Sequence, residues 1–181
     1  MTVAEVYNVT WTSDESYPRL QPSHPRNRSI DWLAFRDYAL EGRPGDTRFE
    51  FFVKARTEFD TVWIIGAGPV VSPRLRRTLE PLVGGPVTFL PVSVNDQPFS
   101  FLRVEHVVDA LDLGRSSYLT AASGDIYEIA NQTWFGDRIP EPAIFKVPRA
   151  PSQIWATPTV AQAYRDSGCT GLIFWPEGRV A

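Results

Sequence analysis

Two aspartates three positions apart, Asp109 and Asp112 in Val107-Val108-Asp109-Ala110-Leu111-Asp112-Leu113, form a paired-carboxylate candidate. One carboxyl of such a pair can give a proton while the other takes one, or both can hold a cation. The basic run Arg74, Arg76 and Arg77 could bind an anion. Together these residues would suit a small enzyme acting on a phosphorylated or sugar substrate. They also have a plain structural explanation. Aspartates often close turns or face solvent, and spaced arginines often form a solvated helix face.

A second candidate is Val62-Trp63-Ile64-Ile65-Gly66-Ala67-Gly68-Pro69-Val70-Val71-Ser72. An apolar run meeting Gly-x-Gly opens many dinucleotide-binding domains. That fingerprint needs a third glycine for close helix packing and an acid about 20 residues on for the ribose. Val71 stands at the third position, and the later stretch reads Pro86-Val87-Thr88-Phe89. No Gly-Lys-Ser/Thr follows, so a P-loop is excluded too. The segment is expected to be a strand end, a glycine turn and a capped helix.

The remaining reactive side chains are sparse. The imidazoles are His24 and His106, and the single cysteine is Cys169, far from both in sequence. No metal-ligand spacing results. Cys169 follows Gly168 at an expected helix end, where the dipole disfavours a thiolate, so it reads as a small buried residue. There is no Gly-x-Ser-x-Gly elbow. No cofactor and no metal are therefore expected. The loop Asn131-Gln132-Thr133-Trp134-Phe135-Gly136-Asp137-Arg138 has a different character. Large apolar side chains beside glycine and charges serve as anchors on protein-binding surfaces. Trp134, Phe135, Asp137 and Arg138 are the partner-binding candidates; the other reading is a loop folded back over the core.

The bulk of the chain must position these groups. Its 181 residues suit one domain, with the first 45 the least defined. Apolar residues are 43% and aromatics 13%, too many for a disordered chain, and a net charge of −3 does not favour nucleic acid. The start, MTVAEVYNVTW, lacks a basic leader with an apolar stretch, and no run suits a membrane helix. A cytoplasmic home is expected. Sixteen prolines predict short elements.

Residues 3–11 alternate as a strand, 12–28 read as loop, and Ser29 opens a helix to about Leu40. Strands are expected at 48–54, 61–65, 86–92, 99–109 and 125–130, with shorter extended pieces near 143–147 and 153–156. Ser72-Pro73 and Thr157-Pro158 each start a helix through a capping hydroxyl and a first-turn proline. Leu75, Leu79 and Leu82 face inward on the first, and Val160, Ala163 and Tyr164 on the second. Gly168 ends the second, and Gly171–Trp175 is expected as a buried strand. Extended chain, Ser/Thr-Pro helix, glycine and strand thus recur at 62–91 and 153–175, as two similar units on one sheet or as convergent capping. The fold class is α+β: a mixed, mostly antiparallel sheet of short strands with about three short helices.

Four segments together carry a family likeness. Val70-Val71-Ser72 leads into a helix. Val107-Val108-Asp109-Ala110-Leu111-Asp112 precedes Ser116. Ile144-Phe145-Lys146-Val147 is followed by the late Thr157 helix, and then by Gly168-Cys169-Thr170-Gly171-Leu172-Ile173-Phe174. In this order they resemble immunity protein family 11, also described as the DUF1629 or MXAN-0049-like immunity family of bacteria. The likeness spans residues 48–175. The family commonly has serine where Thr157 stands, and Pro73 and Pro158 are local features. The resemblance implies a protein of a bacterial polymorphic-toxin or contact-dependent system that binds a toxin encoded nearby and catalyses nothing.

Overall fold

The structure, a computed structural model, describes residues 5–11, 59–64, 68–83 and 85–180, together with the backbone of 19–22 and 48–53. Strand β1 (Val6–Trp11) lies inside the alternating segment. It is flanked by β12 (Ala150–Ala156) and β13 (Leu172–Glu177), both antiparallel to it. β11 (Ile144–Val147) pairs with β12 and completes a four-stranded sheet. Val9 and Val6 are buried on opposite faces of β1, so this sheet is covered on both sides.

A second sheet has six strands in the order β2 (Arg19–Pro22), β3 (Arg48–Val53), β6 (Val87–Val94), β7 (Gln97–Val104), β5 (Gly68–Val71), β4 (Thr61–Ile64). Only β3 and β6 pair in parallel. The α+β reading fits this mixed, mostly antiparallel architecture. Helices number two among the described residues, α1 (Pro73–Val83) and α2 (Pro158–Ser167), rather than about three. The helix expected over 29–40 and the loop residue His24 lie outside the described residues.

The recurring pattern is a real topological repeat, but the two copies sit on different sheets. In the first, β5 runs through α1 to β6, and β7 lies between those two strands, antiparallel to both. In the second, β12 runs through α2 to β13, and β1 takes the middle place. Each is a crossover split by one strand. The helices pack on each other between the sheets, joining Leu75, Leu79 and Val83 of α1 to Val160 and Tyr164 of α2 in one cluster. Leu82 packs at its margin, and Ala161 rather than Ala163 is the buried alanine of α2. A second cluster, around Trp134, Phe145 and Trp155, covers the far face of the four-stranded sheet. A third, around Val70, Val94 and Phe101, covers the far face of the six-stranded one.

The two capping residues behave differently. Ser72 Oγ accepts the Leu75 amide at 3.2 Å, as a cap should. Thr157 makes no such bond. Its buried hydroxyl instead accepts the Ala143 amide at 2.9 Å, and a carboxylate oxygen of Glu141 takes the Thr159 amide at 3.0 Å. A neighbouring segment thus satisfies the helix start, and the threonine ties that segment down. Gly168 closes α2 at φ +63°, where a left-handed residue is needed.

Other expectations change. Arg19–Pro22, placed in a loop by its prolines, is an outer strand of the sheet, a position where a missing amide is tolerated. The 99–109 stretch is shorter: β7 ends at Val104, and His106 lies in the following loop, its carbonyl accepting the Lys146 amide. β13 is an outer strand of its sheet; Leu172 is buried but Trp175 is 56% exposed. Gly68 begins a strand that pairs back on β4, Ile64 opposite Gly68, so this segment is a hairpin rather than a strand-to-helix turn. Gly66 lies outside the described residues. Among the described residues no helix is long and apolar enough to cross a membrane.

Candidate functional site

The segment from Leu111 to Arg138 crosses the far face of the four-stranded sheet. Leu111 bridges to Trp134, and the Phe135 amide donates to the Ala110 carbonyl at 2.8 Å. This pairing turns the Trp134 indole inward. It is fully buried, edge-on to Phe145 at 6.0 Å and to Trp155 at 5.5 Å between ring centres. Trp134 is therefore a core residue and is withdrawn from the contact candidates. The other three lie at the surface. Phe135 is half-buried, and the Arg138 guanidinium stands over its ring at 4.2 Å. Arg138 also donates to the Asp109 carbonyl at 3.2 Å, and Asp137 is exposed in the 3-10 turn Gly136–Arg138. The loop is divided: its indole belongs to the core, and Phe135, Asp137 and Arg138 lie at the surface.

Asp112 is committed to a turn. Its carboxylate accepts the Gly114 and Arg115 amides at 3.0 and 3.2 Å and meets the Arg115 side chain at 3.5 Å. The arginines of α1 are not beside it. Arg74 donates to the Ser167 carbonyl at 2.7 Å, and Arg76 pairs with Glu80. That helix packs in the cluster between the sheets, whereas Leu111 packs on the opposite face of the four-stranded sheet. The arginines that neighbour the two aspartates are Arg115 and Arg138.

Sequence reasoning missed a polar cleft of about 680 Å³ beside this segment. Its walls come from the hairpin of β8 (Ser117–Thr120) and β9 (Ile126–Asn131), from the start of β10 (Thr133–Trp134), and from the end of β13 up to Gly178, just before β14 (Arg179–Val180). β10 and β14 pair in parallel and bring Gln132 to Glu177. The buried Gln132 side-chain amide donates to the Glu177 carboxylate. Gln132 Oε1 is buried without a partner. Gly178 has φ +80°, and a Cβ there would stand 2.5 Å from the Gln132 carbonyl oxygen, so the close approach requires glycine. Arg115 and Asn131 complete the polar lining. The local signal was Pro176-Glu177-Gly178, a turn sequence placing an acid where a strand should end.

Burial raises the Glu177 carboxyl above its ordinary 4.5. The folded form then holds its proton to higher pH than the unfolded chain. This residue's contribution to stability is complete below the ordinary value and is lost as pH rises through the raised one. Glu177→Gln should therefore flatten that decline. Urea titrations at several pH values above 4 would show stability falling less steeply than in the unaltered chain; parallel profiles would contradict the assignment.

A second buried acid serves the fold. Asp60 accepts the Ser72 hydroxyl at 2.6 Å and the Thr170 amide at 3.1 Å, with Arg74 at 3.9 Å, and so fastens the start of α1 to the segment after α2. Cys169 lies beside this junction. Burial pushes its thiol up, away from a reactive thiolate. Among the described residues no group of three or more His, Cys, Asp or Glu is placed to hold a metal. Against known proteins, no family model and no curated sequence matches this chain.

Proposed function

We propose that this chain is an immunity-type binding protein of the bacterial cytoplasm, neutralising a toxin encoded nearby by stoichiometric contact. The observation that carries the reading is the surface cluster of Phe135 and Arg138, stacked on each other and fixed by bonds to the Ala110 and Asp109 carbonyls beside the buried Trp134. An aromatic and an arginine are the residue types that dominate binding hot spots. Holding them in place before encounter lowers the ordering cost of association. Asp137 adds a charge that can guide approach. The resemblance to immunity protein family 11 points the same way. An enzyme working through Asp109 and Asp112 would first have to free Asp112 from its turn, which makes that reading second.

The double variant Phe135→Ala, Arg138→Ala tests the surface. Removing two anchors of this kind should cost about 2–4 kcal/mol of binding, or roughly 30- to 1,000-fold in affinity. Cells expressing the neighbouring toxin should lose protection, while the purified variant keeps its circular dichroism spectrum and unfolds cooperatively. Undiminished protection would remove this cluster from the interface.

A further inference from the structure

The cleft between the β8–β9 hairpin and the end of β13 contains a carboxylate with an unanswered charge. Glu177 is half-buried, and its only side-chain partner among the described residues is the neutral amide of Gln132. Among the described residues Arg115 is the one cation in the lining, and it is paired with Asp112 rather than with Glu177. A carboxylate partly removed from water loses solvation that a cation and hydrogen bonds can replace. Gln132 supplies one hydrogen bond and fixes the carboxylate in place. Gly178 allows the strand end to close on Gln132 and shape the wall. Among the described residues no cation answers the carboxylate.

The space suits a side chain rather than a bare ion. About 680 Å³ would hold an extended arginine or lysine with several waters, and the lining is mostly polar. Asn131 and Ser117 add hydrogen-bonding groups around the opening, and the chain's net charge of −3 favours the approach of a basic partner. We infer that this cleft is a receptor notch for one basic side chain, arginine or lysine, presented by the partner protein and paired with Glu177. The inference rests on the binding-protein reading above and adds a second contact point, carried by residues outside the Phe135–Arg138 cluster. Glu177 is the specificity element: a neutral side chain of the same shape would gain the space but not the charge pairing.

The test uses the whole chain and a minimal probe. N-acetyl-arginine amide is titrated against the isotope-labelled protein by nuclear magnetic resonance, with N-acetyl-citrulline amide as its neutral isostere and N-acetyl-lysine amide as the second basic probe. The basic probes should shift the Gln132 side-chain amide and the backbone signals of Glu177 and Gly178. Citrulline should bind about tenfold or more weakly. Glu177→Gln should abolish the preference for the charged probes while leaving the rest of the spectrum in place. Equal responses to arginine and citrulline, no response at Gln132 and Gly178, or an unchanged preference in Glu177→Gln would overturn the notch. Its failure is separable from that of the parent reading. A chain that protects cells from the toxin yet ignores arginine amide loses only the notch. One that binds arginine amide through Glu177 but neither binds nor neutralises the toxin loses only the toxin.

Discussion

Alanine at position 134 is expected to lower the free energy of unfolding by about 3–5 kcal/mol, the range for deleting a buried aromatic side chain. The indole is fully buried and sits against Phe145 and Trp155, themselves fully buried. Removing it leaves a large cavity in the cluster that covers one face of the four-stranded sheet. A domain of ordinary stability has about 5–15 kcal/mol in total, so the variant would be partly unfolded at body temperature. Phe135→Ala, one residue along, removes a half-buried ring and should cost distinctly less. Denaturant midpoints of the two variants separate the roles. A loss at position 134 no greater than at 135 would contradict the placement of the indole. The comparison also guards the binding test, since loss of protection in a Trp134 variant would report unfolding.

Gly171→Ala should be nearly as severe. Its φ is +104°, a region that side chains avoid, and an added Cβ would stand 2.6 Å from the Thr61 carbonyl oxygen. The oxygen belongs to a strand and cannot step aside alone. Strain and overpacking each cost about 1–3 kcal/mol. The effect is concentrated at a junction, because Asp60 and Thr170 exchange bonds there and fasten one crossover unit to the other. Gly85→Ala is the matched control, with nothing within 4 Å of the added carbon. Thermal unfolding should show a large drop for the first and almost none for the second. Similar melting temperatures would mean that the Thr61–Gly171 contact is looser than described.

Much of this scaffold is legible in the sequence because its signals are local. Ser72 before Pro73 gives a true cap, and Gly168 gives a true left-handed helix end. The two Ser/Thr-Pro units do share one topology. Which sheet each joins is not legible, since strand partners are set by contacts far apart along the chain. The β6–β7 hairpin could have been read: Asn95 and Asp96 both have positive φ, and these residue types favour that turn. Trp134 misled for a physical reason. Apart from Phe135 its neighbours are polar, small or charged, but a two-residue strand is enough to turn one side chain into the core. Pro176-Glu177-Gly178 marks a turn with an acid, but the cleft itself was not legible because Gln132 and Glu177 are 45 positions apart and meet through the β10–β14 pairing. Phe135, Asp137 and Arg138, singled out by residue type, lie at the surface, and the first and last of them stack.

The most direct measurement mixes the purified chain with the toxin domain from the adjacent reading frame and follows mass and toxin activity together. A discrete one-to-one complex, with activity falling to zero at equivalence, is the expected result. A chain that stays apart from that domain, or that suppresses it only by consuming a small molecule at far below equimolar amounts, would contradict neutralisation by contact.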